Sequence, residues 1–172
     1  MQKILNLDAR LSSWMRVAER PGLLRTGAIL LAHSGDSWFW LVGLGLLWLV
    51  GTEYWRTRAI VMALGILVTA VVVMAIKFTV RRRRPEGEWG GIYRTTDPHS
   101  FPSGHAARMI MLAVVASGMG PAWFGALLIV WALGVALARV AMGVHYLSDI
   151  LAGMLLGILM GFVVLAFVPA LV

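Results

Sequence analysis

Residues 109–138 read MIMLAVVASGMGPAWFGALLIVWALGVALA and contain no Asp, Glu, Lys or Arg. The turn-forming residues GMGP, at 118–121, divide this stretch into two apolar segments. Residues 59–76 and 150–172 are equally free of charged side chains. Segments of this kind dissolve in hydrocarbon, and with their flanking residues they approach the roughly 20 apolar residues that a spanning helix needs. The stretch therefore predicts a helical hairpin inside a membrane.

The composition of the whole chain agrees with a membrane location. Of its 172 residues, 60% are hydrophobic and 13% are charged, whereas a soluble domain is about half apolar and a quarter charged. The net charge of +7 would favour nucleic-acid binding in a soluble protein, but the uncharged stretches argue against that class. The chain has no cysteine, which excludes disulfides, thiolate catalysis and cysteine-bound metal centres.

The hydropathy pattern predicts an all-α integral membrane protein, a bundle of about five transmembrane helices in a single membrane-embedded domain over residues 1–172. Strands do not compete, because lipid does not tolerate unpaired strand backbone. Residues 1–25 mix apolar and charged side chains, which predicts an amphipathic helix in the membrane interface. Residues 81–103 are predicted to form a loop between the second and third spans, and this loop is predicted to lie over a functional site. The five predicted spans are residues 37–55, 58–80, 104–117, 122–140 and 144–170.

Counting the crossings places many polar residues at one face of the membrane. The second and fourth spans end at this face, and the third and fifth begin there. The opposite face has only Glu53, Arg56 and Arg58 near the ends of its spans. This asymmetry predicts a site, because charges that merely keep the chain soluble have no reason to cluster. The residues at the shared face are Lys77, Arg84, Ser103, His105, Arg139, His145 and Asp149.

The end of the second span carries two cations, Lys77 and Arg84, seven residues apart. This spacing predicts that both lie on one face of a helix, which Pro85 then ends. Neighbouring cations repel each other unless an anion lies between them, so the pair predicts an anion site. Charges that extend to the membrane interface are the alternative, and they explain residues 81–83 adequately. They explain Lys77 less well, because it lies deeper in the span.

The third span begins at Pro102-Ser103-Gly104-His105. Ser103 is a good N-cap residue, and Gly104 lets backbone N–H groups approach a ligand closely. The start of a helix also carries partial positive charge, which favours a bound oxyanion. The alternative is an ordinary capped helix in which His105 has no role.

Asp149 follows His145 by four residues, which predicts that both lie on one helical face within hydrogen-bonding reach. A carboxylate that binds one imidazole nitrogen leaves the lone pair of the other nitrogen facing outward, as in an activated nucleophile or base. The alternative is a polar pair that seals the end of a helix. With several cations and Asp149 as the one central acid, the mixture favours phosphate transfer by fixed donors over a metal site.

Three motifs, KFTVRRRRP (77–85), PSGH (102–105) and RVAMGVHYLSD (139–149), together resemble the signature of the type 2 phosphatidic acid phosphatase family. That family is in turn similar to the vanadium haloperoxidases and to glucose-6-phosphatase. The resemblance covers about residues 77–149 with all three spacings intact. The family usually has Ser where this chain has Ala138, which removes one possible hydroxyl contact with the substrate.

The resemblance implies a lipid phosphatase that works through a phosphohistidine, with no metal and no cofactor. It implies that His145 attacks phosphorus, that Asp149 orients it and that His105 protonates the leaving group. The implied substrate is a lipid phosphate monoester or diphosphate, of the polyprenyl diphosphate, phosphatidylglycerol phosphate or phosphatidate class. The residues implied to hold the phosphoryl oxygens are Lys77, Arg84, Ser103, Gly104 and Arg139.

Other polar residues lie outside the three motifs. Arg108, three residues after His105, is either a contact for a lipid headgroup or second phosphate, or an interfacial anchor. His33 and Asp36 are expected to mark a bend before the first span. The loop over the site is where a lid or headgroup contacts would lie, but most of its polar residues are expected to be solvated. These residues are Glu86, Glu88, Arg94, Asp97 and His99.

Two alternative functions stay open. One is a phosphotransferase that passes the same phosphoryl group to another acceptor, and the other is an anion-binding membrane protein without catalysis. The predicted partners are the lipid phosphate and the membrane, and not nucleic acid. The family resemblance implies a multi-pass protein of the bacterial cytoplasmic membrane with its site on the extracytoplasmic face, whereas the distribution of basic residues favours the cytoplasmic face.

Overall fold

The computed structural model describes residues 2–168, with the side chains of all of these except residues 2, 4, 90, 94 and 96. Helices account for most of the described chain, and one isolated β-bridge joins Arg83 to His99. In chain order the helices are α1 (Gln2–Trp14), α2 (Leu23–His33), α3 (Ser37–Val50), α4 (Glu53–Val80), α5 (Glu88–Thr96), α6 (Gly104–Met119), α7 (Ala122–Ala141) and α8 (Leu147–Phe167). The predicted all-α architecture is therefore confirmed for the described residues.

Three helices, α4, α7 and α8, are long and apolar enough to cross a membrane. The helices α2, α3 and α6 are apolar but shorter. Large apolar side chains cover the outside of the bundle; for example, Leu155 and Phe162 of α8 are more than half exposed. An apolar surface of this extent needs a cover, and lipid is the cover that suits it.

The structure differs from the predicted boundaries in several places, among them the starts of α4 at Glu53 and of α8 at Leu147. The predicted interfacial segment 1–25 holds α1 and the start of a second helix, because the chain breaks at Pro21-Gly22, where Gly22 has a φ of 149°. The predicted span 37–55 ends at Val50, since Gly51 and Thr52 are extended and Thr52 becomes the N-cap residue of α4. The predicted loop 81–103 contains α5. The last predicted span reaches residues 169–170, which lie outside the described residues.

Helix α6 is the central element, and it packs against α4, α7 and α8. Helix α2 packs on α7, and α3 packs on α4. Most residues of α6 are buried, as expected of a helix enclosed on several sides. The N-terminus of α6 therefore lies in the middle of one end of the bundle, with the ends of α4 and α7 and the start of α8 around it.

Glycines spaced four residues apart bring α8 unusually close to α6. A Cβ atom on Gly153 would lie 2.5 Å from the carbonyl oxygen of Ser103, and one on Gly157 would lie 2.4 Å from that of Ala107. Gly161 repeats the spacing one turn further on. Small residues at this spacing let helix backbones approach in lipid, where the hydrophobic effect supplies no attraction between helices. The contact fixes the start of α8 beside the start of α6.

We expect Gly157→Ala to destabilise the protein by about 1–3 kcal/mol, because the new methyl group is accommodated only if α6 and α8 separate. Thermal unfolding in detergent, followed by circular dichroism, measures the effect as a lower midpoint. The matched control is Gly45→Ala on α3, where a Cβ atom has nothing within 4 Å. Equal midpoints for the two variants would contradict the close contact.

Candidate active site

Most of the predicted site residues line one cavity of about 140 Å³ at the end of the bundle where α6 begins. The cavity lies between the ends of α4 and α7, the N-terminus of α6, the turn before α8 and the segment that includes α5. Ser103 and Asp149 are not on its wall, and both are buried behind it. The predicted residues on the wall are Lys77, Arg84, Gly104, His105, Arg108, Arg139 and His145, joined by Val73, Met74, Tyr93 and Asp97.

His145 lies in the turn before α8, which begins at Leu147, so the prediction that His145 and Asp149 share a helical face was wrong. The two side chains still meet, with 3.5 Å between His145 Nδ1 and Asp149 Oδ2. The turn ends where the Tyr146 backbone N–H donates to the same Asp149 oxygen at 2.9 Å. The carboxylate therefore accepts a hydrogen bond from the start of its helix, while the nearby His145 Nδ1 forms no hydrogen bond with the described residues.

The protonation of the His145 ring follows from its contact with Arg84. Arg84 Nη1 lies 3.1 Å from His145 Nε2. A guanidinium has no acceptor atom, so Nε2 accepts and the ring proton is on Nδ1, towards Asp149. The ring is almost completely buried, and burial holds its pKa well below the ordinary value, with the charges of Arg84 and Arg139 acting in the same direction. His145 is therefore a neutral imidazole whose Nε2 lone pair faces the cations of the cavity.

Asp149 is held in turn by an arginine that the sequence assigned to the membrane interface. Arg82 Nη1 donates to Asp149 Oδ1 at 2.8 Å, and Arg82 Nη2 donates to Asp8 Oδ2 at 2.7 Å. Asp8 is on α1, where its Oδ1 also accepts from the backbone N–H of Ser148 at 3.0 Å. The predicted interfacial role of residues 81–83 was therefore wrong for Arg82, and α1 binds the start of α8.

Lys77 and Arg84 do not share a helix, because α4 ends at Val80 and Arg81 has a φ of 53° in the left-handed region. The predicted role of Pro85 in ending the helix was therefore wrong. The two cations nevertheless converge, because the chain turns back after Arg81 and brings Arg84 into the bundle. Lys77 Nζ and Arg84 Nη2 both donate to Oδ2 of Asp97, the latter at 2.7 Å.

Asp97 supplies the anion that the cation pair requires. Asp97 is an exception among the loop residues, which were predicted to be solvated for the most part, and the prediction that Asp149 is the one central acid was wrong. Burial raises the pKa of Asp97, but the hydrogen bond from Lys77 and the charges of Lys77 and Arg84 outweigh it and hold the pKa below the ordinary value. The carboxylate therefore stays charged. Arg94 of the same loop lies outside the described side chains.

Arg139 and Arg108 present unsatisfied donors inside the site. The Nε atoms of both are buried and have no hydrogen-bond partner among the described residues. Arg139 Nη1 donates to the Tyr93 hydroxyl at 3.0 Å, and the Tyr93 ring also lies 4.6 Å from the Arg139 guanidinium carbon. Buried unpaired donors are costly unless a ligand satisfies them. None of the three sequence motifs includes Tyr93, which reaches the site because α5 folds over it.

The PSGH turn begins α6 as predicted. Ser103, which was predicted to hold phosphoryl oxygens, is not on the cavity wall, whereas Gly104 is. The Ser103 hydroxyl accepts from the backbone N–H of Ala106 at 3.4 Å and caps the helix. The Ser103 backbone N–H donates to the Asp149 carbonyl oxygen at 2.9 Å. Ser103 therefore fixes the helix start behind the wall, while Gly104 forms part of the wall.

His105 shares the cavity with His145, and its ring contacts an acid from a distant turn. His105 Nε2 lies 2.6 Å from Asp36 Oδ1, and His33 Nδ1 lies 3.0 Å from Asp36 Oδ2. His33 and Asp36 lie at the break between α2 and α3, so the predicted bend is confirmed. The contact between Asp36 and the cavity histidine was not predicted.

Comparison with known proteins identifies the family of the chain. The family model of the PAP2 superfamily matches residues 58–172. The chain is 35% identical over 150 residues to a decaprenylphosphoryl-5-phosphoribose phosphatase of Mycobacterium tuberculosis, covering 86% of this chain and 82% of that protein. It is 32% identical over 154 residues to an undecaprenyl-diphosphatase of Sulfolobus acidocaldarius, covering 86% of this chain and 70% of that protein.

Two solved structures have a similar fold. One is the transmembrane PAP2-type phosphatidylglycerolphosphate phosphatase of Bacillus subtilis, with a TM-score of 0.79, 23% identity, and coverage of 99% of this chain and 88% of that one. The other is Aquifex aeolicus LpxE, with a TM-score of 0.71, 24% identity, and coverage of 90% and 93%. The chain belongs to the PAP2 superfamily, and it is an integral membrane phosphatase.

Proposed function

We propose that the protein hydrolyses a lipid phosphate monoester or diphosphate through a phosphohistidine on His145, without a metal ion. The observation that carries the proposal is the orientation of the His145 ring. The lone pair of Nε2 faces a cavity lined by cations, and Asp149 lies on the side of Nδ1. The two relatives are named for polyprenyl-linked substrates. This favours the polyprenyl class over phosphatidylglycerol phosphate and phosphatidate.

The proposed reaction has two halves. In the first, His145 Nε2 attacks phosphorus, the bond from phosphorus to the ester oxygen breaks, and His105 gives a proton to that leaving oxygen. In the second, water attacks phosphorus, the bond from phosphorus to nitrogen breaks, and His105 takes a proton from the water. Asp149 stabilises the charge that develops on His145. Inorganic phosphate then leaves, and the enzyme returns to its starting state.

Fixed donors hold the phosphoryl oxygens in this proposal. Lys77, Arg84 and Arg139 place positive charge where the transition state gains negative charge, and the Gly104 amide adds a backbone donor. Ser103 acts on the phosphate through the helix start that it caps. These cations supply what a divalent metal supplies elsewhere, which is why we propose a metal-independent reaction. Arg108 is placed for a second phosphate or a headgroup.

We further propose that residues 1–172 form one membrane-embedded domain in the bacterial cytoplasmic membrane. In this arrangement α3, α4, α6, α7 and α8 make five crossings and α1 lies in the interface, where Trp14 is largely exposed. The site faces the extracytoplasmic side, where its basic surroundings attract an anionic substrate.

Thr95→Cys tests this orientation, because the natural chain has no cysteine and Thr95 is an exposed residue of α5. We expect an impermeant thiol reagent to label the variant in intact cells. The cysteine-free parent is the control. Labelling that requires lysis would contradict an extracytoplasmic site.

Purified protein in detergent with EDTA should release phosphate from a panel of lipid phosphates and diphosphates. His145→Gln should reduce the release by about a thousandfold or more, because no other group at this position can accept the phosphoryl group. The matched control is His99→Gln, since the His99 ring is outside the cavity and packs on Phe78.

Each contrary result has a separate meaning. Phosphate release by His145→Gln at the parent rate would remove the proposed nucleophile. Loss of activity in EDTA would contradict a metal-independent reaction. A new phosphoester without free phosphate would identify a transferase, and ligand binding without either product would identify an anion-binding protein.

Asp97→Asn should bind inorganic phosphate about tenfold more tightly, because the Asp97 carboxylate lies between Lys77 and Arg84 and repels an entering anion. The measurement is the inhibition constant of phosphate in the lipid phosphatase assay. The control is Glu86→Gln, an exposed acid at the other end of the same segment. Weaker phosphate binding by Asp97→Asn would show that the carboxylate instead holds the cations in place for the ligand.

A further inference from the structure

Asp36 joins the cavity to the protein surface through two histidines. Its Oδ1 is 2.6 Å from His105 Nε2, and its Oδ2 is 3.0 Å from His33 Nδ1. The side chain of His105 is 14% exposed and that of His33 is 43% exposed. Each carboxylate oxygen of Asp36 thus contacts an imidazole ring. The His105 ring is inside the site, and the His33 ring is outside it.

The carboxylate of Asp36 does not make the contact that its position in the chain favours. Asp36 is the N-cap residue of α3, where an aspartate normally accepts a hydrogen bond from a backbone N–H of the first turn. No such bond from the helix to the Asp36 side chain is formed. The start of α3 therefore forgoes a stabilising cap, and the carboxylate contacts His105 instead.

The turn that carries Asp36 is held firmly in place. Trp40 Nε1 donates to the Ser34 carbonyl oxygen at 2.8 Å, and Trp131 Nε1 of α7 donates to the Ser34 hydroxyl at 3.0 Å. A Cβ atom on Gly35 would lie 2.7 Å from Val135 of α7, so the turn packs tightly against that helix. The position of the carboxylate is fixed before any substrate binds, which is what a group that orients a catalytic side chain requires.

We propose that Asp36 is a positioning residue that holds His105 in the protonated form and orientation needed to protonate the leaving oxygen. The inference rests on the proposed phosphatase function. Burial and two nearby arginines disfavour a charged imidazole at His105, and Asp36 is the acid that opposes them. The charged and titratable groups nearest His105 are Asp36 from the turn, Arg108 from α6 and Arg139 from α7, with His33 of α2 behind Asp36. The cavity that His105 lines also holds Lys77, Arg84, Tyr93, Asp97 and His145.

The contact assigns separate tasks to the two nitrogens of His105. Nε2–H donates to Asp36 throughout the reaction, so that Nδ1 is the nitrogen left for the substrate. Nδ1–H gives its proton to the leaving oxygen as the ester bond breaks, and the ring becomes neutral. Nδ1 takes a proton from the attacking water in the second half, which restores the imidazolium. Asp36 stabilises the charged ring at the start and end of this cycle without exchanging a proton.

The proposal predicts that the importance of Asp36 depends on the leaving group. An alkoxide is a strong base and cannot leave without a proton, so its departure depends on the acid. A nitrophenolate is a weak base and leaves without help. Removal of a residue that serves the acid therefore slows alkyl phosphates selectively, whereas removal of a residue that only supports the fold slows both substrates.

The test compares the parent and Asp36→Asn, as full-length protein in detergent, on dioctanoyl phosphatidate and on p-nitrophenyl phosphate. We expect kcat/KM, which extends only to departure of the leaving group, to fall about a hundredfold on phosphatidate and less than about threefold on p-nitrophenyl phosphate. The basic limb of the kcat/KM profile on phosphatidate should move to lower pH, because an imidazolium without its carboxylate partner loses its proton more readily. The control is Glu53→Gln, an exposed acid at the far end of α4, which should match the parent.

An equal loss on both substrates would overturn the inference, as would an unchanged pH profile on phosphatidate. Activity on p-nitrophenyl phosphate also reports on folding, so a variant that misfolds gives the equal loss and counts against the inference. A parent enzyme that releases no phosphate from any lipid phosphate would instead contradict the proposed function itself, which keeps the two failures distinct.

Discussion

The burial of like charges at one end of the bundle is the constraint on which the rest of the site depends. Lys77 and Arg84 are 3% exposed and Arg139 is 1% exposed. Gathering three cations away from water costs free energy unless anions or hydrogen-bond acceptors compensate them. Asp97 compensates Lys77 and Arg84, and Tyr93 covers Arg139. The α5 segment is therefore part of the electrostatic balance of the bundle, and a bound phosphate would take over that role from Asp97.

Four aspartates from separate segments organise the site, and each one has a defined partner. Asp149 contacts His145, Asp36 contacts His105, and Asp97 contacts the cation pair. Asp8 completes the set from α1, because it binds Arg82, which in turn binds Asp149. Helix α1 thus contributes to the side of the site that holds His145. These aspartates contact the histidines and arginines of the site, while most of the charged side chains on the cavity wall are cationic.

The local parts of this arrangement were predictable, and the long-range parts were not. The PSGH helix start and the pairing of His145 with Asp149 follow from spacings of a few residues, so the sequence shows them directly. The contact from Asp36 to His105 joins residues 69 positions apart, and that from Asp8 to Arg82 joins residues 74 positions apart. Such contacts depend on how helices pack. One signal in the sequence was missed. The cation pair Lys77 and Arg84 requires an anion, and Asp97 is an acid in the adjoining loop.

The size and walls of the cavity bear on which part of a lipid phosphate can enter the site. A volume of about 140 Å³ suits a phosphate group and excludes a lipid tail. Val73 and Met74 close the cavity on the side of α4, and Val71 and Phe78 of that helix are exposed apolar residues. In the proposed function the tail therefore stays in the bilayer beside α4 while the phosphate alone enters. Because the tail makes no contact inside the cavity, discrimination between lipids must come from groups next to the phosphate, where Arg108 and α5 lie.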